Sequence, residues 1–233
     1  MKRAIRHRWS VSIARAQEIQ KELRGKLLIE APEGPVRTIA GLDVAYDARE
    51  SRMYAGGITF EWPGMRVLER RWVSRAVRFP YVPGYLSFRE APALAAVLDG
   101  LAKVDLLLCD GQGIAHPRGL GLASHIGVLY DAVTIGVAKT RLIGEHGPVG
   151  ERRGSSRRLL VGGKWVGYVV RTRDGVRPLY VSPGHRMDAD TARRWVLALC
   201  AGHRLPEPSR QAHLFVSSLV RETKSPGGIR WTS

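Results

Sequence analysis

Residues 104–138 read VDLLLCDGQGIAHPRGLGLASHIGVLYDAVTIGVA, and this stretch decides the fold. Val104–Cys109 is a short apolar run, the pattern of a strand buried on both faces, and it stops at Asp110. A glycine-rich loop, Gly111 to Gly121, leads to an apolar helix around Leu122–Ala132. Thr134–Ala138 is then a second buried strand. Two largely apolar strands joined through a helix form a parallel pair with a crossover connection.

Upstream, the pattern predicts a helix from Ser87 to about Leu101. Pro80-Tyr81-Val82-Pro83-Gly84 before it is irregular, because its prolines fix φ and lack donors. Val36–Tyr46, Tyr54–Trp62 and Val67–Phe79 read as strands of an antiparallel meander, separated by turn signals at 47–52 and at Pro63-Gly64. Ile13, Ala16, Ile19, Leu23 and Leu27 fall at helical spacing, so Ser10–Leu28 reads as an amphipathic helix. Downstream, residues 145–158 read as a polar basic loop. Lys164–Val170 and Pro178–Ser182 look like strands, and Ala189–Ala201 and Pro208–Glu222 like helices. The stretch from Lys224 onward is read only as a flexible basic end. With no repeat and no low-complexity linker, residues 1–233 are expected to form a single α/β domain around a mixed sheet.

The composition narrows the function. Lys and Arg number 37 against 21 Asp and Glu, a formal net charge of +16. Such an excess favours a polyanionic partner, since each phosphate neutralised releases counterions. Cys109 and Cys200 stand far apart with no zinc-type spacing, which argues against a disulfide framework or structural zinc. There is no signal-peptide pattern and no apolar run near membrane-span length, so a cytoplasmic protein with no membrane partner is expected. Gly162-Gly163-Lys164 lacks the glycine spacing of a phosphate-binding loop, and no Ser–His–Asp or Cys–His nucleophile stands out.

Two carboxylates sit in apolar runs: Asp43 within Ile39–Ala45, and Asp110 at the carboxyl end of Leu106–Cys109. Burial of either is costly without a cation or hydrogen bonds, and ligand sites gather at such strand ends. The bland alternatives are an Asp43 facing solvent and an Asp110 capping its own loop. Glu90 closes Ser87-Phe88-Arg89-Glu90, a capping-box pattern that by itself accounts for a glutamate there.

Five stretches together resemble the endonuclease V family: IAGLDVAY (39–46), FPYVPGYLSFRE (79–90), CDGQGIAHPRGLGLASHIGV (109–128), IGVAKTRLIG (135–144) and LPEPSRQAH (205–213). The resemblance runs from about residue 10 to 220. It implies a ribonuclease-H-like fold and Mg²⁺-assisted hydrolysis of the second phosphodiester 3′ to deoxyinosine, leaving 3′-hydroxyl and 5′-phosphate ends, with Mn²⁺ as a substitute ion. It also implies that Asp43, Asp110 and Glu90 hold metal and that His213 completes the catalytic site. Tyr81, with Pro83, resembles the family's wedge. Gly111 and Gly113 would then border the base pocket, and His116 and Lys139 would contact or orient the nucleic acid. Gln112 stands where many relatives carry histidine. A monomer is expected. The rivals are an inosine-specific RNA endonuclease on the same scaffold and a basic nucleic-acid-binding protein without catalysis.

Overall fold

The computed structural model describes residues 1–47, 49 and 51–222; the rest of the 47–52 turn and residues 223–233, with the basic end read from Lys224, lie outside the described residues. The meander forms as β1 (Thr38–Asp47), β2 (Arg52–Glu61) and β3 (Val67–Ala76), all antiparallel. The parallel pair forms as β4 (Leu106–Cys109) and β5 (Thr134–Ala138), with β4 also parallel to β1. Three further strands, β6 (Ser156–Val161), β7 (Lys164–Val170) and β8 (Leu179–Pro183), extend the sheet in antiparallel fashion from β5. The order is β3-β2-β1-β4-β5-β8-β7-β6. Its first five strands have the ribonuclease-H-like arrangement.

Five helices complete the described chain: α1 (Ile13–Arg24), α2 (Leu86–Gly100), α3 (Leu122–Tyr130), α4 (Ala189–Leu199) and α5 (Glu207–Glu222). Alternation along the strands divides the core. Ala40 and Leu42 of β1 pack with Leu94, Leu98 and Ile126 of α2 and α3. Ile39, Leu106, Leu108 and Val137 point the other way, toward Val196 and Leu199 of α4. Asp43 has the parity of Ile39, so it belongs to the second face, where α5 lies across β1 and β2.

Three expectations are corrected. The first helix is shorter than 10–28, because Ser12 caps it, accepting from the Arg15 N–H at 3.2 Å, and Gly25 ends it. The capping box fails: α2 begins at Leu86 without a side-chain cap, while Ser87 Oγ bonds His125 Nδ1 at 3.0 Å and Glu90 turns to Tyr46. The basic loop at 145–158 ends in β6, whose arginines at 157 and 158 are exposed on an edge strand, so no apolar alternation announced it. Among the described residues no helix is long and apolar enough to cross a membrane.

Candidate metal centre and nucleic-acid interface

β1 and β4 run parallel with Leu42 beside Cys109, so the next residues, Asp43 and Asp110, are neighbours on one face of the sheet. The Asp110 N–H donates to Leu42 O at 3.2 Å, which fixes that register. A third group arrives from α5. A Cβ on Gly41 would stand 2.0 Å from Pro208 O, and one on Gly56, paired with Asp43 across the meander, 2.7 Å from Val216 Cγ1. Both glycines therefore let α5 settle against the strands. His213 Nδ1 is thereby placed 2.8 Å from Asp43 Oδ2. Asp43, Asp110 and His213 each offer a ligand atom, all within 4.8 Å of one another.

Asp43 is only 7% exposed, which removes the solvent-facing alternative. Its other oxygen accepts from its neighbour's Val44 N–H at 2.8 Å. Asp110 Oδ2 is paired with Lys139 Nζ at 2.5 Å, which puts the lysine at the edge of the cluster. Glu90 lies outside the three-ligand set but within its field. Its carboxylate accepts from the Tyr46 hydroxyl at 2.8 Å, and Arg89 lies over the Tyr46 ring, 4.9 Å from the centroid.

Electrostatics set this cluster apart. Burial, reinforced by the Asp110 charge and opposed by the His213 hydrogen bond, pushes Asp43 up to about 6. Burial also pushes Glu90 up to about 8, against the Tyr46 hydrogen bond and with help from the charges of Asp43 and Asp110. Burial and mutual repulsion of this kind favour the neutral form of both carboxyl groups. Two carboxylates and an imidazole at one point, with a third carboxylate nearby, have the donor chemistry of a divalent-metal site.

The segment at residues 79–84, where the resemblance expects a wedge, is held at its roots and free at its tip. Tyr81 is 74% exposed and Pro83 is exposed too. At one root Arg89 Nη1 donates to Phe79 O at 2.8 Å. At the other, Gly84 (φ +79°) takes a left-handed turn, and its carbonyl accepts from Gln20 Nε2 at 3.0 Å, from Arg118 and from His116 Nε2 at 2.9 Å. The Arg118 N–H donates to His116 Nδ1 at 3.2 Å, so the imidazole is the neutral Nε2–H tautomer. Burial drives it down to about 4. The structure thus places His116 as a buried tie between Gly84 and the glycine-rich loop.

Gly111 and Gly113, at the start of that loop, are buried. A Cβ on Gly113 would stand 2.0 Å from Pro183 O, and its N–H donates to Ser182 Oγ at 2.7 Å, so close packing accounts for this glycine. Gln112 Nε2 donates to Thr140 O at 3.2 Å, while its buried Oε1 has no partner.

Several contributors escaped the sequence reading: Tyr46, which holds Glu90; Gly41 and Gly56, which admit α5; and Arg89, Gln20 and Arg118, which clamp the wedge. A usable signal existed for Gly41, since a glycine inside a strand two residues before a buried aspartate marks close approach of another backbone.

With this geometry in place, comparison with known proteins is informative. A family model described as Endonuclease V matches residues 18–214. The chain is 48% identical over 225 residues to an endonuclease V of Gloeobacter violaceus, covering 94% of this chain and 91% of the relative. The crystal structure of an endonuclease V from Streptomyces avermitilis superposes with a TM-score of 0.87 at 40% identity, covering 93% of this chain and 96% of that one. An endonuclease V from Ciona intestinalis, solved with a 23mer DNA containing an inosine followed by a ribo-adenosine, shares the fold at 24% identity with a TM-score of 0.79, over 91% of this chain and 98% of its own. From the breadth of these matches, the chain belongs to the endonuclease V family.

Proposed function

We propose that this protein is a Mg²⁺-dependent DNA endonuclease that hydrolyses the second phosphodiester 3′ to deoxyinosine, leaving 3′-hydroxyl and 5′-phosphate ends. The convergence of Asp43, Asp110 and His213 within 4.8 Å carries this reading; the net charge of +16 and the family membership support a nucleic-acid substrate.

Asp43 and Asp110 would hold the ion, with Glu90 as a further carboxylate. When bound, Mg²⁺ supplies Lewis acidity and lowers the pKa of a coordinated water. The chain's own groups do the rest. His213 orients the Asp43 carboxylate through the bond at Nδ1, leaving Nε2 to accept or deliver a proton. Lys139 offsets negative charge at Asp110 and stands ready for a phosphate oxygen. Tyr81, exposed between rigid prolines, fills the gap left by a displaced base, which costs least where pairing is already weak. The roles of Pro83, Gly111, Gly113 and His116 in this reading are to hold that wedge and the loop beneath it. One catalytic unit built on the continuous sheet, acting as a monomer, is part of the proposal. So is a reducing cytoplasmic setting, in keeping with two buried free cysteines.

The experiment is a nicking assay on a duplex with a single deoxyinosine, in Mg²⁺ and then in chelator, beside a matched riboinosine strand. Nicking of the DNA that stops on chelation is expected. Cleavage confined to the RNA, or no cleavage with Mg²⁺, overturns the assignment.

A further inference from the structure

Beside the root of the wedge, a cleft of about 510 Å³ opens between residues 9–13, the ends of β2 and β3, and the first turns of α2. Its floor is apolar, with Val11, Met53, Phe79, Phe88 and Pro92. Its rim is cationic, with Arg52, Arg75, Arg78 and Arg89, and among the described residues no acidic side chain lines it. Two of these arginines are committed: Arg52 Nε donates to Ser74 Oγ at 3.0 Å, and Arg89 holds Phe79 O and Tyr46. Arg75 and Arg78 are exposed.

An apolar floor under a guanidinium rim is chemically a nucleotide site. A base loses water against the floor while its phosphate meets planar donors at the mouth. The volume suits one small ligand, falling in the usual range of roughly 300–1,000 Å³ for such pockets. Position adds to this. Pro80 lines the cleft and Tyr81 follows it directly, so a strand that passes the wedge runs along the cleft's mouth.

We propose that this cleft receives an unstacked nucleotide of the DNA strand next to the one displaced at Tyr81, with its base on the apolar floor and its phosphate on Arg75 and Arg78. The proposal rests on the DNA-binding part of the reading above, but not on cleavage. It gives the protein a second nucleotide site, separate from the loop at Gly111–Gly113.

The test is fluorescence anisotropy in chelator, with a labelled duplex carrying one deoxyinosine and the same duplex without it, over a series of salt concentrations. The Arg75→Ala, Arg78→Ala double variant should lower the slope of log affinity against log salt by about 1, for the one phosphate that is no longer neutralised. The Arg75→Lys, Arg78→Lys protein should keep most of that slope. Ala76→Trp, at an exposed position in the cleft wall, plugs it; it should weaken the deoxyinosine duplex about tenfold and the undamaged duplex less than twofold. An unchanged slope and affinities within twofold for the arginine variants overturn the site, as does equal weakening of both duplexes by Ala76→Trp. Because chelator prevents cleavage, a failure to nick in Mg²⁺ leaves this outcome unaffected, and the two readings fail separately.

Discussion

His213 Nδ1 lies 2.8 Å from Asp43 Oδ2 across 170 residues of sequence, and the bond exists because two glycines on β1 and β2 admit the helix that carries it. The imidazole therefore acts on a carboxylate whose burial already raises its pKa. Replacing it with alanine should lower the nicking rate about 10- to 100-fold, the usual effect of losing a group that orients a metal ligand. His213→Asp, which restores an oxygen donor, should recover part of that rate. Single-turnover rates at saturating protein measure both, and full activity in His213→Ala would remove histidine from the site.

Gly41→Ala tests how the helix is placed. The added Cβ would meet Pro208 backbone at 2.0 Å, and backbone cannot swing aside as a side chain can. Overpacking of this kind costs about 1–3 kcal/mol, or roughly 2–4 °C in Tm for each kcal/mol in a chain of this size. Activity should fall further than stability explains, because His213 moves with α5. Gly56→Ala should be milder, since its nearest contact is a side-chain methyl. Thermal melts beside nicking rates separate the two effects.

Metal removal should expose the repulsion within the cluster. In chelator, Asp43→Asn should raise the melting temperature by several degrees, consistent with relief of order 1–3 kcal/mol, while abolishing cleavage. Added Mg²⁺ should raise the Tm of the parent protein and leave that of the Asp43→Asn, Asp110→Asn double variant unmoved. Equal stabilisation of both would place the ion elsewhere.

Two buried histidines each make a contribution to stability that depends on pH. Burial holds His116 at about 4 and His125 well below its ordinary value, the latter beside His7, whose Nε2 is 2.7 Å away. In the unfolded chain both take up protons near pH 6.5. Below that pH the unfolded state binds more protons at these two positions, so their contribution is fully present above about 6.5 and is lost as pH falls, while Glu90 and Asp43, whose folded pKa values are raised, contribute with the opposite sign over the same range. The slope is about 1.4 kcal/mol per pH unit for each group, and the His116 share ends near pH 4. Urea unfolding of the parent and of His116→Gln between pH 4.5 and 7.5 isolates the His116 share: the difference in stability between the two should change by about 1.4 kcal/mol per pH unit below pH 6.5, and a constant difference would remove His116 from the titration.

Tyr81→Ala should reduce the preference for deoxyinosine over undamaged duplex by on the order of tenfold, the scale of one base–aromatic stack, with little change in affinity for undamaged DNA. Competition binding reads the ratio directly. Equal losses on both would make the exposed ring a general DNA contact.

The fold was readable where burial and periodicity coincide. Thr134–Ala138 and Lys164–Val170 form strands with those very bounds. Asp43 and Asp110 were visible for the same reason, each a charge in an apolar run. Local rules failed where a partner far along the chain overrides them. Ser87 and Glu90 spell a cap, yet His125 and Tyr46 take them. The packing of Gly113 against the Pro183 carbonyl was equally invisible in the local sequence. The arginine-rimmed cleft is assembled from residues 9–13, 52–53, 74–80 and 88–93, a combination that no linear pattern displays.

The register that sets Asp110 beside Asp43, and the helix that brings His213 to both, have a consequence for how such an enzyme is made. A slip of β4 by one residue would turn Asp110 to the opposite face. A ribosome that has not yet passed residue 213 has produced no complete cluster at all. The cluster is thus a product of the finished fold: Asp43, Asp110 and His213 come together only once the register of β4 is set and α5 has been made and docked.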